Sequence, residues 1–168
     1  MKYAELNELF AVLVLYRMNF ENLHWNSKGL GFDDAHKNIS TEYYEKVNDD
    51  VDVVAEMLVR LGVNPMNYKE VFDCITNSSN DYMIVASNTL YSKKDVISMS
   101  QTLLTNICTA IVAVLDSDYM QETINAGMKS TLETLLDYYD LQARYINSRK
   151  LVDQQGDRAS QDSTEDDM

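Results

Sequence analysis

Residues 22–36 read NLHWNSKGLGFDDAH, a short turn with a histidine on either side of it. Two glycines, Gly29 and Gly31, supply the backbone freedom that ends a helix. Upstream of the turn, apolar residues recur at helical spacing over about residues 3–26. Downstream, a second helical pattern covers about residues 32–61, with aspartates at its start. The stretch therefore predicts an antiparallel hairpin of two long helices.

The rest of the chain predicts a second hairpin. A third helix is expected over Lys93–Leu115 and a fourth over about Tyr119–Asn147. Between the two hairpins, residues 63–91 are less regular: they contain the only proline, Pro65, and a short helical pattern over Tyr68–Ile75. Two hairpins joined by one long crossover match the ferritin-like connectivity rather than that of an up-down bundle. The predicted fold class is all-α, a ferritin-like four-helix bundle with a short helix in its crossover.

The length of 168 residues fits one domain with a sizeable core. A single proline and five glycines agree with a mainly helical chain. From Gln154 onward the sequence, QQGDRASQDSTEDDM, is polar, acidic and without apolar periodicity. We predict the bundle over residues 1–150 and an acidic disordered tail over residues 151–168.

The formal net charge of −13 argues against binding to nucleic acid, because phosphates are bound mainly by Lys and Arg. No basic patch or basic terminal arm is visible in the sequence. We predict that the protein does not bind DNA. An acidic surface better suits cations or a basic partner.

The sequence also predicts a cytoplasmic protein. It has two cysteines, Cys74 and Cys108, at a spacing unlike that of a metal site. The first residues do not resemble a signal peptide, and the sequence predicts no apolar run that approaches the roughly 18 to 20 residues of a membrane span. We therefore expect a soluble chain with buried or incidental thiols and no membrane segment.

Four side chains stand out as candidate metal ligands. The two histidines of the chain, His24 and His36, flank the turn. Asp52 and Glu56 are four residues apart on the second helix, so they project from one face as an oxygen-rich metal site requires. The same residues also have an ordinary structural interpretation. A lone histidine in a protein core usually forms a hydrogen bond with a backbone group, and acids on an acidic protein are usually solvated.

The pattern N-x-H-W-N-x-K-G-x-x-F-x-x-x-H over residues 22–36, followed by D-x-x-A-E over residues 52–56, resembles the Dps family of ferritin-like mini-ferritins. The resemblance implies an iron-oxidising site between two-fold-related subunits. His24 and His36 would come from one chain, and Asp52 and Glu56 from its neighbour. Trp25 would lie near the iron and intercept oxidising equivalents.

The function that this resemblance implies is iron binding and storage. Fe(II) would be oxidised by peroxide or oxygen, and ferric mineral would be stored inside a hollow shell of twelve subunits built from two-fold dimers. The chemistry is compatible, since imidazole nitrogen and carboxylate oxygen accept Fe(II), hold Fe(III) and leave positions for an oxidant. Iron is the only cofactor that the sequence implies.

Two departures from the family pattern qualify this expectation. Ser40 stands four residues after His36, where the family has an acid. The interval from His36 to Asp52 is one residue longer than in the family, which would rotate a regular helix by about 100°. Either a bulge in the helix absorbs the residue, or His36 lies in the turn and Glu42 takes the place of the acid. The alternative function is a non-catalytic ferritin-like structural or interaction protein with a degenerate metal site.

A different metal geometry is also conceivable. The elements Glu21-x-x-His24 and Asp33-x-x-His36 each resemble the acid-x-x-His element of di-iron carboxylate bundles. In those bundles the elements lie in different hairpins, whereas here they flank a single turn, and the predicted third and fourth helices contain no histidine. The eleven tyrosines could donate electrons near iron, although large amphipathic side chains at helix interfaces are the usual case.

Overall fold

The computed structural model describes residues 3–29, 32–122 and 126–162. Most of these residues are helical, and the predicted four-helix bundle of two hairpins and a long crossover is confirmed. In chain order the helices are α1 (Ala4–Trp25), α2 (Glu42–Arg60), α3 (Tyr68–Asn77), α4 (Lys93–Leu115), α5 (Asp118–Glu122) and α6 (Ala126–Asp162). Helix α1 packs against α2, α4 packs against α6, and α1 also contacts α4. Two two-residue strands, β1 (Ser27–Lys28) and β2 (Tyr91–Ser92), pair in parallel.

Helix α1 lies at the centre of the bundle. Every residue from Leu9 to Tyr16 is buried, so this part of the helix has no solvent-facing side. A helix that is apolar all round is stable only when neighbours cover it completely. Here α2, α3 and α4 provide that cover. The apolar run that predicted the first helix is therefore the middle of the core.

Capping boxes set the start of two helices. At α4, the Ser92 hydroxyl accepts the Asp95 backbone N–H at 3.3 Å, and the Asp95 carboxylate accepts the Ser92 N–H at 3.0 Å. The bonds from Ser92 hold the pKa of the Asp95 carboxyl below its ordinary value. Asn67 and Glu70 form the same arrangement at α3. Such a box pairs backbone donors that the first turn of a helix leaves free. The bounds predicted for the third helix, Lys93–Leu115, are confirmed at both ends.

The crossover is fastened to α1 by polar side chains. The Glu8 carboxylate accepts hydrogen bonds from Ser78 (2.6 Å), Tyr82 (2.7 Å) and Asn80 (3.0 Å). Partial burial alone would raise the pKa of the Glu8 carboxyl, but these three donors outweigh it and the pKa is lowered. Further along α1, the buried Asn19 side chain forms two hydrogen bonds with the crossover backbone. Its NH₂ group donates to the carbonyl oxygen of Met83 at 2.8 Å, and its oxygen accepts from the backbone N–H of Val85 at 3.0 Å. These contacts hold the crossover on the bundle.

Two helices differ from those expected. The second helix begins near Phe32 as expected, but it is not regular, since the segment Asp34–Thr41 is π-helical and α2 follows it. The single fourth helix is instead α5 and α6, and residues 123–125 between them lie outside the described residues. Helix α6 continues to Asp162, while residues 163–168 also lie outside the described residues. The separate disordered tail stays a prediction.

Helix α4 corrects the expectation about apolar runs. Its 23 residues are long and apolar enough to span a membrane by length and composition, with a mean hydropathy of 1.5 over an 18-residue window. In this fold, however, 44% of that window is buried inside the protein. Leu103, Leu104 and Ile107 are fully buried in the bundle core. Helix α4 is thus not a clear membrane span, since the core helix of a bundle has the same composition.

Candidate metal site

The fold brings the two histidines into direct contact. His24 lies in the last turn of α1 and His36 lies in the π-helical segment Asp34–Thr41. Their imidazole rings are stacked, with 3.8 Å between the centroids and 19° between the planes. The Phe32 ring also stacks on His36, at 4.8 Å. The two predicted histidine ligands therefore form one half-buried pair.

Each histidine is oriented by the backbone of the other. The Nδ1 atom of His24 bonds the carbonyl oxygen of His36 at 3.0 Å, and the Nδ1 atom of His36 bonds the carbonyl oxygen of His24 at 2.7 Å. A carbonyl oxygen only accepts, so both Nδ1 atoms carry a proton and donate it. In the neutral imidazole this leaves the Nε2 lone pair of each ring free for a cation. Metal-binding histidines are usually held in this way through their other nitrogen.

Thr41 joins both of these bonds. Its hydroxyl donates to the carbonyl oxygen of His36 at 2.6 Å and lies 2.9 Å from the Nδ1 atom of His24, from which it accepts. One hydroxyl thus fixes the end of the π-helical segment to the histidine of α1. The orientation of the pair is set within a single chain.

The π-helical segment accommodates the extra residue between His36 and Asp52. A π-helical turn holds one residue more than an α-helical turn, so the helix that follows keeps its direction. Ser40 is fully buried and its hydroxyl donates to the carbonyl oxygen of Ala35, five residues earlier, at 2.7 Å. Of the two predicted alternatives, the structure has the bulge: His36 is in the helical segment and Glu42 is an exposed residue at the start of α2. Ser40, in the expected place of an acid, bonds the backbone instead.

The turn that carries the histidines is tied to the start of α4. Strand β1 pairs with β2, and the backbone N–H of Tyr91 donates to the carbonyl oxygen of Asn26 at 2.7 Å. The buried Ser27 hydroxyl also bonds the carbonyl oxygens of Leu23 and His24, at 3.0 and 3.1 Å. Two-residue strands leave no periodicity in a sequence, so this tether was not predicted.

The two candidate acids lie apart from the histidine pair and are open to solvent. Asp52 and Glu56 are both exposed on α2. Glu56 forms an ion pair with Arg60 at 3.1 Å, in which both side chains are more than 60% exposed. Asp52 borders a surface depression of about 570 Å³ between α1 and α2, together with Arg17 and Asp49.

Within one chain, the described ranges contain no group of three or more His, Cys, Asp or Glu that could hold a metal ion. Glu21, Asp33 and the two histidines all lie in these ranges, so they do not form the intrasubunit di-iron site considered above. The histidine pair and the acids are likewise not joined in one subunit. Their pairing across a subunit interface stays a prediction.

A second polar cluster lies buried between α2 and α6. Asp50 is 2% exposed and pairs with the Lys46 ammonium one turn earlier, while the phenol of the fully buried Tyr139 donates to the Asp50 carboxylate at 2.5 Å. Burial, and then the charge of Asp50, raise the pKa of Tyr139 far above its ordinary value. Asp50 was not singled out from the sequence. A lysine four residues earlier is a signal in the sequence, but such a spacing is also that of ordinary surface pairs on a helix.

Comparison with known proteins agrees with this architecture. No protein-family model matches the chain. The DNA protection during starvation protein of Helicobacter pylori is 39% identical over 61 residues, which are 36% of this chain. The matched stretch spans only 42% of the length of that protein.

Two solved structures superpose over most of the chain. Dps from Staphylococcus aureus has a TM-score of 0.73 at 20% identity, covering 88% of this chain and 93% of its own. The bacterioferritin-related protein of Bacteroides fragilis, described as a dodecameric thioferritin, has a TM-score of 0.75 at 11% identity. That match covers 94% of this chain and 88% of the thioferritin.

Proposed function

This chain has the ferritin-like four-helix fold of the Dps proteins, and we propose that it is a subunit of an iron-binding mini-ferritin. The resemblance to the Dps family expected from the sequence is confirmed by the short stretch of identity and by the solved structures. The activity itself is our inference. Fe(II) is the substrate, peroxide or oxygen the oxidant, and ferric iron the stored product.

The histidine pair is the observation that carries this proposal. His24 and His36 hold each other through Nδ1, so the Nε2 lone pairs of both rings stay available without any further rearrangement. A ligand pair held in this way loses little conformational entropy when a cation binds. Nitrogen donors from imidazole suit Fe(II) and also Zn(II), Cu(II) and Ni(II), so the choice of iron rests on the family resemblance.

The acids would come from a second copy of the chain. Asp52 and Glu56 are exposed, so they are accessible to a partner subunit. In a two-fold dimer each contact occurs twice, so one dimer would contain two equivalent sites. Twelve subunits, as in the thioferritin of similar fold, would be built from six such dimers.

The roles of the residues follow from their chemistry. The imidazoles and carboxylates would hold Fe(II) while each ion gives one electron to the oxidant, and the carboxylates would balance the higher charge of Fe(III). Trp25 is 64% exposed beside His24, where its indole could intercept oxidising equivalents that escape. The net charge of −13 would raise the local concentration of cations. The same charge supports our expectation of no DNA binding, and we place the protein in the cytoplasm.

A second candidate function has its own support. Ser40 replaces an acid and is fully buried, and Glu56 is paired with Arg60. Both features reduce the negative charge available to a metal ion. A ferritin-like structural or interaction protein with a degenerate metal site would show both of them.

Fe(II) oxidation by the purified full-length protein tests the proposal. Ferric absorbance is followed after addition of Fe(II) with peroxide or air, against a buffer blank, and assembly is sized by light scattering. We expect saturable, accelerated oxidation that is lost in His24→Ala and in His36→Ala. Asp33→Asn is the matched control: Asp33 is exposed three residues before His36, and its loss should leave the rate unchanged.

The outcomes separate three possibilities. Oxidation at the rate of the blank would reject the ferroxidase and leave the structural protein. An unchanged rate in both alanine variants would reject the assignment of the histidines. A loss of activity in Asp33→Asn as well as in the histidine variants would favour the di-iron geometry that the single chain does not show.

A further inference from the structure

The cluster between α2 and α6 combines an oxidisable phenol with a base in hydrogen-bond contact. The Tyr139 hydroxyl donates to one carboxylate oxygen of Asp50, and the Lys46 ammonium pairs with the other. Tyr139 is fully buried, and the side chain of Asp50 is 3% exposed. The proton acceptor of this phenol is thus fixed by the fold rather than supplied by solvent.

A base in contact matters because a phenol that loses an electron becomes a strong acid. A charged phenol radical in the core would be disfavoured, since burial penalises any charged form. Transfer of the phenolic proton to Asp50 along the existing hydrogen bond leaves a neutral radical beside a neutral acid. No side chain has to move for this transfer.

The cluster also has a place for the positive charge that a departing electron leaves behind. Before oxidation, Lys46 and Asp50 cancel one another. Once Asp50 takes up the proton, the net charge resides on the Lys46 ammonium, whose side chain is 30% exposed. The charge therefore remains next to water while the radical stays buried.

Tyr138 connects the buried phenol to the surface. Its ring meets that of Tyr139 edge to face at 5.3 Å, and it is only half-buried. The Lys46 ammonium lies over both rings, 5.0 Å from the centroid of Tyr138 and 5.7 Å from that of Tyr139, so it disfavours a positive charge on either. An electron hole that arrives at Tyr138 moves on to Tyr139, because there Asp50 accepts the phenolic proton and the radical becomes neutral.

We propose that Tyr139 is a redox site of this protein, a one-electron donor to strongly oxidising radicals of the peroxide class, with Asp50 as its proton acceptor. In this step the phenolic O–H bond of Tyr139 breaks and the proton bonds to Asp50. The electron reduces a hydroxyl radical to hydroxide, which takes up a solvent proton to give water. The step needs no metal centre, so it extends beyond the proposed iron chemistry.

The test uses iron-free full-length protein, which keeps its result separate from that of the ferroxidase assay. A flash on ruthenium tris-bipyridine with persulfate generates a one-electron oxidant, and electron paramagnetic resonance follows the tyrosyl radicals. A buried radical meets solvent species only through local opening, so we expect a component that lives at least about tenfold longer than radicals of exposed tyrosines. Tyr139→Phe should remove this component. Tyr145→Phe, on the same helix but 49% exposed, is the matched control and should retain it.

Asp50→Asn tests the proton acceptor, because it keeps the shape of the side chain and removes the base. We expect a lower yield of the long-lived radical in this variant. Wild-type protein in D₂O supplies a measurement that needs no variant: electron–nuclear double resonance should show an exchangeable deuteron, now bonded to Asp50, that is hydrogen-bonded to the radical oxygen. An unchanged long-lived signal in Tyr139→Phe overturns the redox site. An unchanged yield in Asp50→Asn, or the absence of the deuteron, overturns the role of Asp50.

Discussion

The histidines and the acids of the candidate site are built in opposite ways. His24 and His36 are fixed to each other by backbone hydrogen bonds, by Thr41 and by ring stacking, all inside one chain. Asp52 and Glu56 are exposed on a regular helix, and Glu56 forms a surface ion pair with Arg60. In the proposed site, the histidines would therefore be positioned before assembly, whereas the acids would have to be positioned by a partner subunit. Changes to the two groups should therefore have different signatures.

Replacing the acids should have the largest effect. Asp52→Asn and Glu56→Gln keep the size of each side chain but remove the negative charge that would stabilise Fe(III) in the proposed site. We expect the oxidation rate to fall by more than the roughly 10- to 100-fold loss that is typical of outer-shell partners of a metal site. Because both residues are exposed, the thermal midpoint of the protein should change little. The rate is measured by ferric absorbance and the midpoint by circular dichroism.

Asp49→Asn is the control for this pair of variants. Asp49 is exposed on the same helix and borders the same surface depression as Asp52, but it was not predicted to be a ligand. Equal losses in Asp49→Asn and Asp52→Asn would mean that only the general acidity of α2 matters. The distinction between ligand and bystander would then be wrong.

Removing a hydrogen bond that orients the histidine pair should have a smaller effect on the iron chemistry than replacing the acids. Thr41→Val removes the hydroxyl that bonds both the carbonyl oxygen of His36 and the Nδ1 atom of His24, but it leaves the two reciprocal bonds in place. We expect Fe(II) affinity to fall about tenfold, the low end of the range for outer-shell changes. Thr105→Val, an exposed threonine of α4 that bonds its own helix, is the control. Equal affinities in the two variants would show that the reciprocal bonds alone orient the pair.

Helical spacing predicted most of the fold, because burial of an apolar stripe leaves a period in the sequence. The third helix has the approximate bounds predicted for it, and α1 ends at the predicted turn, of which residues 30–31 lie outside the described residues. Comparison with the family pattern predicts one extra residue between His36 and Asp52. Only the structure shows that the π-helical segment Asp34–Thr41 accommodates it. The sequence predicted that the two histidines share a site but not that their rings stack, since stacking depends on the path of the turn between them.

Two neighbouring acids show why contacts between residues distant in sequence could not be predicted. Asp49 and Asp50 are adjacent and chemically identical, yet Asp49 is exposed and Asp50 is buried against Tyr139, 89 positions away. A helix turns by about 100° per residue, so adjacent side chains face different surroundings. Which of the two is buried depends on where α6 lies. The tether between β1 and β2 depends in the same way on contacts distant in sequence.

Removing the ion pair between Arg60 and Glu56 should have the smallest effect on Fe(II) binding, and it should strengthen the binding rather than weaken it. Exposed ion pairs one helical turn apart are worth about 0.3–0.5 kcal/mol, so Arg60→Gln should strengthen Fe(II) binding only about twofold. Titration at two salt concentrations isolates the cause. Salt screens exposed ion pairs, so the advantage of the variant over wild type should shrink as salt is added. Weaker binding in Arg60→Gln would instead mean that the guanidinium positions Glu56 for the metal, and the acids would then be as preorganised as the histidines.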